Sequence, residues 1–420
     1  MTSQWLALQL TLNGGRFDVN DASLGHSQLD EPFRLAVKNI NQLPPSLLEA
    51  LGAWGIKSID IAVTADVGLR ASCVINDNGE ALIALPVGFV CRSFLLAALL
   101  VKHNNEPRIQ YLNSPLDPDY NYTQNRPIDV EQDIKPLAHP VFAGYEDSAK
   151  YWLDVRRLSS HVGDLGEYGY SVIFISERCI ELALTHELSH LVGGHIGFRN
   201  AMNLDSARTT WLGIHKPLLY AGLECAADFD SGWQVSESLI AREPADSFPP
   251  RSLRAYLFGF ISITYAGLRS RVDRFIYGSA RHQGYLEPSV RWWQVVQGLM
   301  GPLYRLTSEP EESAALRSAE QSGFEDAMFS FNSLSLEYSP EVLISPIKTG
   351  SGNGPATHHM ALSQDLSDAY RRCAVRMAEA YNKYPTLQES LQYENTAQDL
   401  GDMQKIHEDF VETSKKVINR

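Results

Sequence analysis

Residues 186–195 read HELSHLVGGH, with three histidines and one glutamate in ten positions. An α-helix advances about 100° per residue, so His186 and His190, four positions apart, lie on the same face. Both imidazoles can therefore bind one metal ion. Glu187 lies one step around the helix, where its carboxylate can reach a water molecule on that ion and remove a proton. The spacing predicts His186 and His190 as metal ligands and Glu187 as a general base.

The residues around this motif favour a helix over residues 177–192. Ser176 is a suitable N-cap residue, and Glu177 would complement the positive end of the helix dipole. Gly193 and Gly194 can end the helix directly after the motif. The sequence therefore predicts that the whole HExxH segment is helical.

Spacing alone leaves two candidates for the third protein ligand. In the HExxHxxGxxH arrangement the third histidine stands six residues after the second; here Gly193 is in register, but position 196 is Ile and His195 comes one residue early. The other candidate lies in residues 218–232, LLYAGLECAADFDSG, which Pro217 can open as the first residue of a helix.

Within this second segment Glu224 and Asp228 are also four residues apart and share a helix face. A helix packed against the HExxH helix would offer Glu224 to the metal. Asp228 would then accept a hydrogen bond from the outer nitrogen of a ligand histidine and fix its orientation. Two histidines and one glutamate, with the fourth position left to water, form a well-attested catalytic zinc set.

The two motifs together resemble those of the gluzincin metallopeptidases. HELSHLVGGH is similar to their HExxHxxxGH motif. ECAAD is similar to the ExxAD motif of the CAAX-prenyl-protease and HtpX type, and the pair also resembles soluble peptidases such as the phage-exclusion protease Lit. The resemblance implies one Zn²⁺ ion per chain with His186, His190 and Glu224 as ligands. It also implies Glu187 as the catalytic base and Asp228 as the hydrogen-bond partner of a ligand.

This resemblance covers residues 186–228, about a tenth of the chain. The membrane-embedded relatives carry transmembrane helices that are not expected here, and the gap between the two motifs is shorter than theirs. Membrane substrates are therefore not implied, and the first 145 residues carry no such resemblance.

The composition is that of a globular chain, with 44% hydrophobic and 20% charged residues in 420. A net charge of -14 opposes binding to a phosphate backbone, and no basic stripe offsets it, so nucleic acid is not an expected partner. The five cysteines are scattered and form no CxxC pair, which argues against a disulfide framework and favours a cytoplasmic location.

No signal peptide or membrane span is predicted. The N-terminus lacks a basic region, and leucines alternate from Leu6 to Leu12 as in a strand. The most apolar runs, residues 94–101 and 256–268, are shorter than the roughly 20 residues that span a bilayer. They are predicted to be buried helices.

The pattern of elements predicts an α+β protein in three regions: an α/β N-terminal region (1–145), a mainly helical zincin-like metallopeptidase domain (146–340), and a loop with C-terminal helices (341–420). A polar, glycine-rich loop is expected over 345–360, and a break near Tyr384-Pro385 separates the last helices. The predicted elements are strands 58–66 and 170–176, a hairpin over 71–85 turning at Asn78-Gly79, and helices 89–103, 177–192, 217–240, 252–270, 288–305 and 311–331.

Several weaker hypotheses concern residues outside the two motifs. His282, Tyr285 or Arg291 could face the cleft and stabilise an oxyanion, but the sequence favours the plainer interpretation, a loop followed by an ordinary helix that starts after Pro288. The run YSVIFIS (170–176) could be an edge strand to which a peptide adds, or a buried strand.

Two further residue types near these features have plainer interpretations. His358 and His359 are adjacent on a flexible segment, a poor arrangement for a second metal site. Cys225 lies on a different helix face from Glu224 and is expected in the core.

The expected function is that of a cytoplasmic zinc metallopeptidase acting on a protein or peptide. Two alternatives remain: a catalytically silent zincin-like sensor or binding protein, and a metal-dependent hydrolase of a non-peptide amide. The N-terminal region is a candidate for regulation, either by covering the cleft or by binding a partner.

Overall fold

The computed structural model shows a mostly helical chain with one small three-stranded sheet, which is compatible with the predicted α+β class. Both predicted domain boundaries, near residues 145 and 340, lie outside the described residues, so the division into three regions stays a prediction. The structure describes residues 3–17, 49, 51–52, 54–66, 68–104, 169–205, 210–242, 251–277, 288–307, 309–338, 355–383 and 396–418.

The sheet consists of β1 (Ser58–Thr64), β2 (Ser72–Ile75) and β3 (Glu80–Pro86) in the order β1-β3-β2. Strand β3 pairs with β1 in parallel and with β2 in antiparallel orientation. Gly79, with φ of +81°, closes the predicted β2–β3 hairpin, where only glycine adopts the required backbone freely. The strand predicted over 58–66 and the hairpin predicted over 71–85 are confirmed.

The N-terminus is a helix, α1 (Gln4–Leu12), so the strand predicted there is wrong. The hydroxyl of Ser3 caps the helix by accepting a hydrogen bond from the amide of Leu6 at 3.2 Å. Leu10 is buried against the sheet, whereas Leu8 and Leu12 are exposed. The alternation of leucines was misleading because they do not all face one apolar surface.

From Val87 onwards the described residues are almost entirely helical. The helix predicted over 89–103 is confirmed as α2, and the two predicted C-terminal helices are confirmed as α9 and α10. The bounds are α2 (Val87–Asn104), α3 (Gly169–Val192), α4 (His195–Asp205), α5 (Thr210–Arg242), α6 (Arg251–Tyr277), α7 (Pro288–Arg305), α8 (Pro310–Tyr338), α9 (Pro355–Lys383) and α10 (Thr396–Ile418).

Helix α3 corrects three predictions at once. The segment 170–176, predicted as a strand, forms its first two turns, so it offers no sheet edge to a peptide. The hydroxyl of Ser176 donates to the carbonyl of Ile173 inside the helix and caps nothing. Glu177 pairs with the neighbouring Arg178 and is far from the helix start. Because α3 is buried on nearly all sides, its apolar residues show no helical periodicity in the sequence.

Other helices begin or end outside their predicted bounds. Helix α5 begins at Thr210, seven residues before Pro217, so Pro217 is not its first residue. The predicted loop over 345–360 is corrected in part, because residues 355–360 belong to α9 and only the rest lies outside the described residues. The helix predicted over 288–305 is confirmed as α7.

Besides a small cluster between α1 and the sheet, two large hydrophobic clusters form the core of the described residues. The larger one joins the sheet to α2, α3, α6, α7 and α8, and the smaller one lies among α4, α5, α9 and α10. Helix α5 contributes to both, with Val235 in the larger cluster and Cys225, as predicted, buried in the smaller one. The N-terminal sheet therefore shares one core with the helix that carries HELSH.

One described helix, α2, is long and apolar enough to cross a membrane, but 83% of it is buried inside the protein. The apolar runs 94–101 and 256–268 both lie in buried helices, as predicted. Their hydrophobicity is explained by the protein core.

Candidate metal centre

Three donor groups from two helices converge at one point. His186 and His190 of α3 and Glu224 of α5 each offer an atom, and all three atoms lie within 4.8 Å of one another. The separations are 3.1 Å between the two Nε2 atoms, 3.3 Å from His186 Nε2 to Glu224 Oε2, and 3.5 Å from His190 Nε2 to Glu224 Oε1. Ligand atoms about 2.0–2.1 Å from a tetrahedral Zn²⁺ lie about 3.3 Å apart. The group could therefore hold a metal ion.

Helix α3 supplies the two histidines from its last turns, with their side chains 1% and 4% exposed. The helix ends at Val192, and Gly194 follows with φ of +66°, as the glycine pair predicted. The indole of Trp54 donates to the carbonyl of Val192 at 2.7 Å. This bond satisfies a terminal carbonyl of α3 and ties the end of the helix to the N-terminal region.

Helix α5 supplies Glu224 and, one turn later, Asp228. Oδ1 of Asp228 lies 2.8 Å from Nδ1 of His186, although the ring N–H direction departs from the line between these two atoms. Asp228 is fully buried, while the side chain of Glu224 is 25% exposed. The carboxylate of Asp228 thus lies behind His186, whereas the carboxylate of Glu224 lies at the solvent-exposed side of the three donors.

Helix α7 crosses α5 closely and brings Arg291 to these carboxylates. A Cβ atom on Gly232 of α5 would lie 2.6 Å from the carbonyl oxygen of Val295 in α7, so only glycine permits this crossing. Arg291 donates to Asp228 through Nε at 2.7 Å and Nη2 at 3.0 Å, and Nη2 also lies 3.3 Å from Glu224. The predicted cleft residue Arg291 therefore supports Asp228 from behind.

The charges of this network set the ionisation of its carboxylates. Burial alone would raise the pKa of Asp228, but Arg291 and His186 outweigh it and lower the pKa to about 2. Burial acts in the same way on Glu224, whose pKa is held well below its usual range by the two histidines and Arg291. Both carboxylates are ionised at neutral pH, as ligation and ion pairing require.

His195 lies behind His190 and outside the group of three donors that the described residues form. Its Nδ1 atom is 2.9 Å from Nδ1 of His190, and the ring is buried. Burial and the charge of His190 hold the pKa of His195 well below its usual value. Metal binding through Nε2 of His190 requires the proton of this ring on Nδ1, where Nδ1 of a neutral His195 is in position to accept it.

Glu187 is buried on the side of α3 that faces α6. Nη2 of Arg269 lies 3.6 Å from its Oε1 atom. Nε of Arg269 donates to the hydroxyl of Tyr265 at 3.1 Å, one helical turn away. Burial and the nearby Glu187 carboxylate raise the pKa of the Cys73 thiol, which lies on β2.

Sequence reasoning missed Trp54, Cys73, Tyr265 and Arg269. An arginine at the end of the apolar run of α6 was the one visible signal, because a charge beside so long a core segment needs a specific partner. No local sequence pattern indicates that Trp54 and Cys73 lie near the site. Each depends on how the sheet packs against α3.

Some predicted residues fall outside what the structure describes. His282 and Tyr285 lie in the undescribed residues 278–287, so their predicted place at the cleft stays untested. His358 and His359 lie within α9, but their side chains are outside the described part of the chain.

No protein-family model, curated protein or solved structure matches this chain. The resemblance to gluzincins therefore rests on the two motifs. What the geometry adds is a buried His-His-Glu group with the composition and spacing of a metal site.

Proposed function

We propose that this protein is a zinc-dependent metallopeptidase that hydrolyses peptide bonds in a protein or peptide. The observation that carries the proposal is the convergence of His186, His190 and Glu224, with Glu187 on the same helix. Two imidazoles and a carboxylate match the donor set of catalytic zinc sites, in which a fourth position stays open. The zincin-like fold is part of the same proposal.

The chemistry of the site divides between the metal and the chain. A bound zinc ion would polarise a carbonyl and lower the pKa of a water molecule towards about 7. His186, His190 and Glu224 would hold it, and Asp228 and His195 would orient the two rings from behind. Glu187 would take the proton of the attacking water and pass it to the leaving amine.

The described sheet offers a docking edge for an extended substrate. Strand β2 pairs with β3 on one side, and no described strand pairs with its other side. Burial and the Glu187 carboxylate raise the pKa of the Cys73 thiol on this strand, so the strand lies beside the proposed base. A peptide that adds to β2 as a further strand would pass the site, whereas the helical residues 170–176 offer no such edge.

Location and regulation belong to the proposal as well. All five cysteines are free, which suits a reducing cytoplasm. A regulatory role for the N-terminal region is supported by Trp54, which bonds the end of α3. Because the sheet shares the core of α3, a deletion of this region would disturb the fold, and a point substitution is the cleaner probe.

Metal analysis and cleavage assays on matched variants test the proposal. We expect one zinc per chain in the full-length protein purified without chelators, and cleavage of a pool of internally quenched peptides. His186→Ala should lose the zinc. Glu187→Gln should keep it and lose the cleavage, because the ligands remain and the base does not. Freshly purified wild-type protein without metal would contradict the proposal.

The same variants separate the alternatives. If the protein is a silent sensor that binds zinc, the wild type would cleave no peptide. Glu187→Gln would then still bind the molecule that the sensor recognises. A hydrolase of non-peptide amides would leave the peptide pool intact and cleave small amides in a Glu187-dependent manner. The intact Glu187 favours an enzyme over a sensor.

A further inference from the structure

Arg269 is a buried cation beside the proposed base with one donor left unused. The residue is 5% exposed, and its Nη2 atom has no hydrogen-bond partner among the described residues. The nearest carboxylate oxygen, on Glu187, lies at 3.6 Å, beyond hydrogen-bond distance. A buried charged donor without an acceptor is costly, so its presence at the site calls for a ligand that completes it.

The neighbouring tyrosine fixes the direction of this unused donor. Nε of Arg269 donates to the hydroxyl of Tyr265, and the guanidinium also lies over the Tyr265 ring, 5.5 Å from its centroid. Tyr265 is itself 1% exposed. A planar guanidinium bound at one edge cannot turn freely, so Nη2 stays on the Glu187 side.

The other arginine of the site is already engaged. Arg291 uses both Nε and Nη2 on Asp228 and Glu224. It therefore holds the ligand side of the site together. Of the two arginines, Arg269 is the one with a donor to offer a substrate.

We propose that Arg269 donates a hydrogen bond from Nη2 to the oxyanion of the tetrahedral intermediate, with Tyr265 as its positioning residue. This inference rests on the proposed peptidase function. The water oxygen bonds to the carbonyl carbon while its proton goes to Glu187, and the carbonyl π electrons move to the oxygen that Arg269 binds. When the C–N bond breaks, those electrons re-form the carbonyl, and Glu187 returns the proton to the amine. Arg269 itself gains and loses no bond.

Binding of small ligands to the metal-loaded protein tests the role without a known substrate. We load full-length protein with Co²⁺ and follow its visible absorption while titrating inorganic phosphate, a tetrahedral oxyanion, or imidazole, a neutral ligand. Arg269→Gln should weaken phosphate binding about tenfold or more and leave imidazole binding unchanged. Arg254→Gln is the matched control, because Arg254 is equally buried on the same helix, 15 residues and about 22 Å away.

Each outcome of this titration has one meaning. Equal phosphate affinity in wild type and Arg269→Gln, or no phosphate binding in wild type, overturns the inference. Parallel loss of phosphate and imidazole binding in Arg269→Gln shows a merely structural role and also overturns it. Wild-type protein that takes up no metal contradicts the proposed function itself, so the two failures are distinguishable.

Kinetics on a cleaved peptide from the quenched pool give a second test. Arg269→Gln should lower kcat by about 10²–10³ with KM nearly unchanged, because an oxyanion donor acts in the transition state. Arg269→Lys should recover part of this loss, and Tyr265→Phe should lower kcat severalfold through misorientation. A rise in KM with unchanged kcat would mean that Arg269 anchors a substrate carboxylate, and would overturn the inference.

Discussion

The two sides of the candidate metal centre differ in how completely their polar groups are paired. On the ligand side, Asp228 is held by Arg291 through two short hydrogen bonds and stands beside His186. On the base side, Glu187 and Arg269 approach to 3.6 Å without a hydrogen bond. On the ligand side, these hydrogen bonds hold Asp228 in a fixed position behind the candidate ligand His186. On the base side, Nη2 of Arg269 has no hydrogen-bond partner among the described residues.

The largest expected effect comes from breaking the buried ion pair between Asp228 and Arg291. Asp228→Asn removes the charge that balances Arg291 in a fully buried position, and a broken buried ion pair typically costs about 3–5 kcal/mol. Zinc affinity should fall about 10–100-fold because the partner behind His186 loses its negative charge. Thermal unfolding and competition with a chromogenic chelator measure the two effects. Glu237→Gln, exposed on the same helix, is the control, and equal behaviour of the two variants would contradict the account.

The pH dependence of unfolding measures the same contact in the wild-type protein. The pKa of Asp228 is lowered from 3.8 to about 2 in the folded state. Its stabilising contribution is therefore fully present above pH 4 and is lost as the pH falls towards 2, a difference of about 2–3 kcal/mol. Denaturant unfolding of metal-free protein between pH 2 and 5 should show this loss in wild type. Asp228→Asn should lose correspondingly less over the same range, and identical slopes would contradict the assignment.

A smaller effect is expected at the turn behind His190. A Cβ atom on Gly193 would lie 2.6 Å from Nε2 of His195, so Gly193→Ala should displace that ring. The overpacked turn should cost about 1–3 kcal/mol, and zinc affinity should fall about tenfold. Gly197→Ala is the control, because nothing lies within 4 Å of its added methyl group. If both alanines leave zinc binding intact, His195 plays no part in orienting His190.

The smallest expected effect is at the contact with the N-terminal region. Trp54→Phe keeps most of the packing against α3 and removes the hydrogen bond to the carbonyl of Val192. The loss should be about 1 kcal/mol of unfolding free energy, the usual value for one such bond. Chemical denaturation of zinc-loaded protein measures it. A change in cleavage rate without a change in stability would instead reveal regulation through this contact.

The helical placement of the candidate metal ligands was predictable from the sequence because its information is local. The spacings of His186 to His190 and of Glu224 to Asp228 each place two groups on one helix face, whatever else the chain does. The β2–β3 hairpin was predictable for a similar reason, since Asn78-Gly79 determines its turn. Both kinds of signal depend on a few consecutive residues.

The base side of the site was not predictable because it is assembled across the fold. Arg269 reaches Glu187 only because α6 packs against α3. No residue pattern around Arg269 predicts that Glu187 is its neighbour. The first turns of α3 were misread as a strand for a related reason. A helix buried on all sides loses the periodicity that distinguishes it from a buried strand.

Crystallography of zinc-loaded protein, with data collected at the zinc absorption edge, would locate the metal relative to the three candidate ligands. We expect one anomalous peak per chain, about 2.0–2.2 Å from Nε2 of His186, Nε2 of His190 and a carboxylate oxygen of Glu224. Glu224→Gln should weaken or abolish the peak. A peak bound by His195 in place of Glu224, or no peak at the three residues, would contradict the account.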